Sequence, residues 1–297
     1  MAKYRVAICF RGLIRTGVYN KSAFDYFFDS PYFDTDYFLH TWDYENSAPA
    51  FVEAPYKGTK LWEKYRYINH TQLTSVKLDT FINRYKPVKF RVDSLDKYRN
   101  VGNRHISYQE QETFNMSYHP QFCSSGEVDK LRREYEKENN FEYDLVINTR
   151  PDIIINPNYR KYLINRIESC IRNPNTMHIL NLHDTWTEND IWADDVLYMS
   201  TSKTMNTLGD FYDIDKNTKS HEYVLKHLMS NKILPTVLGI PYTVLRDFVA
   251  FLDPIKDFDE IFIQNLLMYM DSDDIPPVVE GEPVLNEIYK RRVNNKL

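Results

Sequence analysis

The chain has 297 residues, of which 42% are hydrophobic and 27% are charged, and its formal net charge at pH 7 is -5. This length and composition can supply a sizeable buried core, so they exclude disorder as the expected state. The negative charge and a pI near 5.9 exclude broad, unspecific nucleic-acid binding, because that binding requires a basic face that neutralises phosphates.

The amino-terminal sequence passes from charged residues directly into an apolar strand pattern. It contains no apolar stretch long enough for a signal peptide or a membrane span, so we expect a cytoplasmic protein without an integral membrane segment. Three cysteines, Cys9, Cys123 and Cys170, are widely spaced and form no Cys-x-x-Cys pair. They indicate neither a disulfide framework nor a zinc site, which fits a reducing compartment.

The first third of the chain alternates short apolar runs with helical patterns. The apolar runs predict strands, and Pro87 ends the second helical pattern because proline cannot continue a helix. In chain order, the predicted elements are a strand over Tyr4–Phe10, a helix over Lys21–Phe28, a strand over Asp36–His40, a helix over Thr71–Tyr85 and a strand over Val88–Val92.

The middle of the chain begins with a polar, irregular stretch, Asp93–Gln121, which predicts a long functional loop. Ser124 or Ser125 is predicted to cap the helix that follows, and Ser202 and Ser220 to cap two later helices. The remaining predicted elements are a strand over Tyr143–Asn148, a helix over Asn158–Ile171, a strand over Met177–Leu182 and a strand over Val196–Met199.

Strands alternating with helices, followed by a more helical C-terminal third, predict an α/β fold with a mainly parallel sheet and helices on both faces. Pro276-Pro277 is the predicted boundary of a single domain over residues 1–275. The extension over residues 276–297 is expected to be a terminal helix or a loosely held tail.

The loop after the first predicted strand, Arg11–Thr16, places two arginines and a hydroxyl around Gly12. Ligands of open α/β sheets bind beyond the carboxyl ends of the strands, and guanidinium groups match phosphate oxygens in pairs. This loop therefore predicts a diphosphate site, although it matches neither the P-loop nor the dinucleotide pattern. The alternative is an ordinary turn with solvated arginines.

The fourth predicted strand of the chain ends in Arg150-Pro151-Asp152. A carboxylate fixed by proline at a strand end can bind a divalent metal such as Mn2+ or Mg2+, which neutralises a diphosphate leaving group. Asp152 is the predicted metal ligand, and Arg150 is predicted to stabilise charge or to position Asp152. The alternative is an ion pair between the two at the surface. His40 and Thr41, at another strand end, are predicted to line the donor pocket.

Three strings, Val6–Arg15, Asp36–Asp43 and Tyr143–Asp152, resemble in sequence and order the markers of GT-A-type glycosyltransferases from bacterial surface-polysaccharide clusters and large DNA viruses or phages. The resemblance covers roughly residues 4–230. It implies a GT-A-like (Rossmann-like) fold, with the Arg-Pro-Asp turn in place of the metal-binding Asp-x-Asp. Two departures are Asn148, where the family often has arginine, and a single carboxylate at the turn. Arg150 could thus partly replace a cation.

The resemblance also implies roles for acidic residues nearer the C terminus. Asp194 and Asp195 match the family's acidic position on the acceptor side, and one of them would deprotonate an acceptor hydroxyl in an inverting enzyme. The alternative for both is a solvated turn. Apart from the resemblance, Asp184 follows the strand predicted over Met177–Leu182 and is a second position for metal or sugar contact, and Trp186 nearby could stack on a sugar. Glu222 is a weaker catalytic position, because helix first turns favour Glu on dipole grounds alone.

These residues predict a hexosyltransferase that uses a nucleoside-diphosphate sugar, a UDP-sugar, and a glycan or other hydroxyl acceptor. Phe10, Arg11, Gly12 and Arg15 would bind the nucleotide, and in a viral source the compartment would be the host cytoplasm. One alternative is a sugar nucleotidyltransferase, which normally has a glycine-rich first loop with a lysine downstream. Another is a non-catalytic glycan-binding module, since 23 Tyr and 17 Phe suit sugar stacking as well as cores. The oligomeric state stays open.

Overall fold

A computed structural model describes residues 3–46, 71–95, 119–155, 159–180, 182–184, 191–193, 196–209, 220–240 and 242–244. The strands in these ranges are β1 Tyr4–Arg11, β2 Phe33–Trp42, β3 Tyr44–Asn46, β4 Thr71–Gln72, β5 Lys89–Asp93, β6 Leu145–Thr149, β7 Ile153–Ile155, β8 Thr176–Ile179, β9 Leu182–Asp184, β10 Ile191–Ala193, β11 Leu197–Ser200, β12 Leu234–Val237 and β13 Tyr242–Val244. The α-helices are α1 Lys21–Phe28, α2 Ser75–Tyr85, α3 His119–Asn139, α4 Arg160–Arg172, α5 Ser202–Gly209 and α6 Ser220–Ser230. A short 3-10 helix spans Arg15–Tyr19.

The central sheet has seven strands in the order β12-β8-β11-β6-β1-β2-β5. Strand β11 is antiparallel to both of its neighbours, whereas every other adjacent pair in this sheet is parallel. Six strands therefore end at one edge of the sheet, and β11 begins there. The predicted α/β fold, with a mainly parallel sheet flanked by helices, is confirmed.

Strand β1 shows how the sequence divides the core between the two faces of the sheet. Side chains alternate across a strand, so Val6, Ile8 and Phe10 pack on one face while Ala7 and Cys9 pack on the other. All five are fully buried. Residues of α1, α2 and α4 complete the first apolar cluster, and residues of α3, α5 and α6 complete the second.

Helix α3 is joined to α5 by a buried ion-pair network centred on Arg132. Its guanidinium donates to the carboxylates of Asp129 (3.0 Å) and Glu136 (2.6 Å) within α3. It also donates to the hydroxyl of Ser202 at the start of α5. Arg132 has no exposed surface, and a buried charge is tolerated only when it is paired in this way. The network fixes α3 against the sheet, which matters because two of its serines reach the candidate site.

Several predicted boundaries differ from the structure. The prediction that Ser124 or Ser125 caps α3 is wrong, because the helix begins at His119. The helix predicted over Thr71–Tyr85 begins at Ser75, where the side chain of Thr74 accepts a hydrogen bond from the Lys77 amide (3.3 Å).

Other expectations were met in part or lie beyond the described residues. Ser202 and Ser220 are the first residues of their helices and not the residues before them. The predicted domain boundary at Pro276-Pro277 and most of the loop over Asp93–Gln121 lie outside the described residues. No helix in the described part of the chain is long and apolar enough to cross a membrane.

Candidate functional site

The candidate site lies where β1, β2 and β6 end together. In the sheet register, Arg11 of β1 is opposite His40 of β2, and Phe10 is opposite Thr149 of β6. Gly12 follows with a φ of 86°, a conformation that glycine adopts without the steric cost of a side chain. The loops after these strands thus start from one edge, as parallel order dictates.

The carboxylate of Asp152 joins the loop after β1 to the turn after β6. Arg150 donates two hydrogen bonds to it, from Nε to Oδ1 (2.8 Å) and from Nη2 to Oδ2 (2.7 Å). Arg15 donates a third, from Nη1 to Oδ2 (3.1 Å), across a separation of 137 residues. The side chain of Asp152 has no exposed surface, while those of Arg150 and Arg15 are 7% and 12% exposed. The cluster is thus buried behind two arginines that reach the surface.

A third arginine lies at the same edge of the sheet. Arg11 is the last residue of β1, its Nε donates to the amide oxygen of Asn148, and its guanidinium lies 5.5 Å from the ring centroid of Tyr198. Arg11, Arg15 and Arg150 thus place three guanidinium groups at or just beyond the ends of β1 and β6. Guanidinium groups match anionic oxygens in pairs, so this edge suits an anionic ligand.

Backbone packing holds the two loops together. A Cβ added to Gly17 would lie 2.6 Å from the Cβ of Pro151, so only glycine permits this approach. Nearby, the Nδ2 of Asn20 donates to the carbonyl of Pro151 at 3.0 Å. Asn20 is fully buried, and its contact spans 131 residues of sequence. The positions of Arg15 and Asp152 relative to each other therefore do not depend on their ion pair alone.

A chain of hydrogen bonds through Ser124, His40 and Asp93 supports the loop at Gly12. Burial lowers the pKa of His40 to about 4, although the nearby Asp93 opposes this shift, so the ring is neutral at pH 7. In the tautomer that fits, Nε2 donates to Asp93 (3.1 Å) and Nδ1 accepts from the hydroxyl of Ser124 (2.7 Å). The oxygen of Ser124 in turn accepts from the Gly12 amide (2.7 Å). His40 thus supports the loop after β1 through Ser124.

Asp93, His40 and Ser124 are the side-chain types of a serine-hydrolase triad, but their geometry does not suit a nucleophilic serine. Ser124 and His40 have no exposed surface, so a substrate carbonyl has no access to the hydroxyl. One lone pair of Ser124 Oγ already accepts from the Gly12 amide. A nucleophile requires an accessible oxygen beside its base. The Asp93, His40 and Ser124 chain instead orients the loop after β1.

A second chain of hydrogen bonds supports Arg11. The hydroxyl of Ser125 accepts from Nδ2 of Asn148 (2.9 Å), and Oδ1 of Asn148 accepts from Nε of Arg11. Asn148 stands where the resemblance implied an arginine, and here it orients one instead. Two adjacent serines of α3 therefore support Arg11, which ends β1, and Gly12, which follows it. Neither serine was predicted to belong to the site.

No family model and no curated protein matches the chain. Among solved structures, the chain is similar to the crystal structure of mouse xyloside xylosyltransferase 1 in its apo form. The TM-score is 0.34 with 10% sequence identity, over 80% of this chain and 85% of that one. A likeness at this level supports no statement about function, so function must be argued from the residues of this chain.

The described residues do not fit a divalent cation at Asp152. Both oxygens of its carboxylate accept hydrogen bonds from arginines. Within the described ranges, no group of three or more His, Cys, Asp or Glu side chains could hold a metal ion. Mn2+ and Mg2+ prefer several oxygen ligands, and the guanidiniums beside Asp152 would repel either ion.

Two other predicted site residues, Phe10 and Thr41, have fully buried side chains. The ring of Phe10 packs against Phe24 and Tyr85 in the core, with centroids 4.9 and 5.0 Å away, so only its backbone is available to a nucleotide. Thr41 Oγ1 donates to the carbonyl of Trp42 (3.3 Å). The position of neither side chain indicates a role in ligand binding.

The predicted acceptor side of the site lies beyond what the structure describes. Asp194, Asp195 and Trp186 are outside the described residues. Asp184 lies in β9 and Glu222 in α6, but the description does not extend to their side chains. Val196, the described residue that follows Asp195, accepts a hydrogen bond at its carbonyl from Thr149 Oγ1 (3.0 Å), which joins the end of β6 to the residue before β11.

Proposed function

We propose that this chain is a glycosyltransferase that moves a hexose from a nucleoside-diphosphate sugar, a UDP-sugar, to a hydroxyl of a glycan or similar acceptor. The observation that supports this most is the pairing of Arg15 and Arg150 through Asp152 at the carboxyl edge of the sheet. Open α/β sheets bind ligands at this edge, and guanidinium groups suit a diphosphate because they match phosphate oxygens in pairs.

The proposed reaction replaces one bond to the anomeric carbon with another. The bond from that carbon to the diphosphate oxygen breaks, and its electron pair leaves with the nucleoside diphosphate. The acceptor oxygen forms the new bond, and its proton passes to a base, for which Asp194 or Asp195 is our proposal. Arg15 and Arg150 stabilise the negative charge that develops on the departing diphosphate, an effect that counts most in a preorganised site with little water.

The loop after β1 has a complementary role in this proposal. Gly12 has no side chain, and a Cβ at this position would meet no atom of the described residues within 4 Å, which leaves room beside the backbone for a phosphate group. Arg11 adds a third positive charge beside it. The order of the three resembling strings along the chain supports the same assignment, with a GT-A-like fold as the expected scaffold.

The proposal is tested by titrating UDP into the full chain and by assaying hexose transfer from a panel of UDP-sugars. Arg15→Gln is expected to weaken UDP binding by about ten- to a hundredfold, because hydrogen bonds to charged groups contribute about 1.5–3 kcal/mol. Arg172→Gln is the matched control, because that side chain is 75% exposed and pairs only weakly with Glu168. A wild-type chain that fails to bind UDP would overturn the proposal.

A further inference from the structure

The carboxylate of Asp152 is already largely occupied by protein donors. A carboxylate offers about four lone-pair positions, and the two arginines take three of them at Asp152. The side chain is fully buried beneath those arginines. A divalent cation at this carboxylate would lie beside both guanidiniums, whose positive charges would repel it.

The same carboxylate fixes both guanidiniums in place. Arg150 makes a bidentate contact, which holds the plane of its guanidinium, and Arg15 is tied from the opposite loop. Asn20 and the close approach of Gly17 to Pro151 fix the backbone on either side. Two positive charges are therefore preorganised at the strand ends, which is the contribution that a bound cation would otherwise make to a diphosphate.

Resting on the proposed function, we infer that this chain binds its nucleoside diphosphate without a divalent cation at Asp152, with Arg15 and Arg150 in the cation's place. Asp152 is then a positioning residue that acts through these arginines. It touches neither donor nor metal.

The test compares UDP affinity by calorimetry in buffer containing EDTA and in buffer containing saturating Mn2+, for wild type and for Asp152→Asn. The asparagine keeps the shape of the side chain but removes its charge. We expect wild-type affinities to agree within a factor of two in the two buffers. The variant should bind UDP about tenfold more weakly in both, because its arginines are less firmly held. A thermal melt confirms that each protein is folded, and the wild-type comparison stands even if the variant is not.

Other results would contradict the inference in distinguishable ways. If wild type binds UDP in Mn2+ but not in EDTA, the metal-free assignment is overturned and the proposed function stands. If a folded Asp152→Asn binds UDP as wild type does, Asp152 has no positioning role. If wild type binds UDP in neither buffer, the proposed function is overturned, and this inference with it.

Discussion

The amide of Gly12 donates a hydrogen bond to the hydroxyl of Ser124, which lies 112 residues further along the chain. Through this contact, helix α3 supports the loop that begins at the end of β1. His40 of β2 and Asp93 of β5 continue the chain of hydrogen bonds, so the conformation of one loop depends on three elements besides β1. In our proposal the loop after β1 binds the diphosphate. This loop is therefore held in place by side chains that do not contact the diphosphate.

Removal of the Ser124 hydroxyl should destabilise the conformation of the loop after β1. Ser124→Ala leaves the amide of Gly12 and Nδ1 of His40 without their buried partner, and each such loss costs about 1–3 kcal/mol. We expect a lower free energy of unfolding and UDP binding weaker by about tenfold. Urea denaturation and calorimetry measure the two effects. The control is Ser230→Ala, whose exposed hydroxyl donates to a carbonyl within its own helix. Equal UDP affinity in Ser124→Ala and wild type would contradict the positioning role.

A substitution that disturbs the close approach of Gly17 to Pro151 should affect the site as much as loss of the ion pair between Arg15 and Asp152. In Gly17→Ala, the new methyl group would meet the Cβ of Pro151 at 2.6 Å and its backbone carbonyl at 3.0 Å, and the backbone atoms cannot rotate away. Overpacking of this kind costs about 1–3 kcal/mol and would separate Arg15 from Asp152. We expect a lower melting temperature and weaker UDP binding, measured by thermal denaturation and calorimetry.

Gly239→Ala is a useful comparison for that variant. Gly239 has a φ of 62°, and an added Cβ would meet none of the described atoms within 4 Å, so its substitution strains the backbone without a clash among those residues. It follows β12, which three strands separate from β1 in the sheet. We expect it to lower stability by about 1–2 kcal/mol and to leave UDP affinity unchanged. If both glycine variants bind UDP equally, the contact with Pro151 does not position the site.

The sheet could be predicted from the sequence because its central strands are apolar on both faces. The predicted run Tyr4–Phe10 lies within β1, and α1 has the predicted bounds Lys21–Phe28. The direction of β11 could not be predicted, since a short buried run has the same pattern whether it is parallel or antiparallel to its neighbours. That direction is decided by the connections before and after it.

The candidate site could be predicted only where a motif follows a strand. Arg150 and Asp152 were found in this way, but their pairing with Arg15 is a tertiary contact that no local pattern contains. For Ser124 the sequence predicts only a helix cap, because serine is common before helices. A signal for its true position did exist: Ser124 extends, at helical spacing, the buried stripe formed by Val128 and Leu131.

His178 in β8 is a buried polar group that the site does not use. Its side chain is 2% exposed, and within the described residues neither ring nitrogen has a hydrogen-bond partner. It lies opposite Met199 of β11, which belongs to the apolar cluster shared with α4. Burial, with a smaller contribution from the positive charge of Arg166, lowers the pKa of His178 to about 4. The protein therefore folds around a neutral imidazole.

This burial predicts acid sensitivity that one substitution should reduce. Between its unfolded pKa of 6.5 and its folded pKa of about 4, His178 binds a proton in the unfolded chain but not in the folded one. The free energy of unfolding must then fall as the pH falls through this window. His178→Leu removes the titrating group and the two unpartnered nitrogens, so it should raise stability at pH 7 by about 1–3 kcal/mol and flatten the acid slope. Urea denaturation across this pH range measures both. His40, whose pKa burial also lowers to about 4, should preserve part of the slope in the variant. If the free energy of unfolding of the variant falls with pH as steeply as that of wild type, His178 binds its proton as readily in the folded protein as in the unfolded chain. A charged His178 in the folded protein would require a partner for its ring.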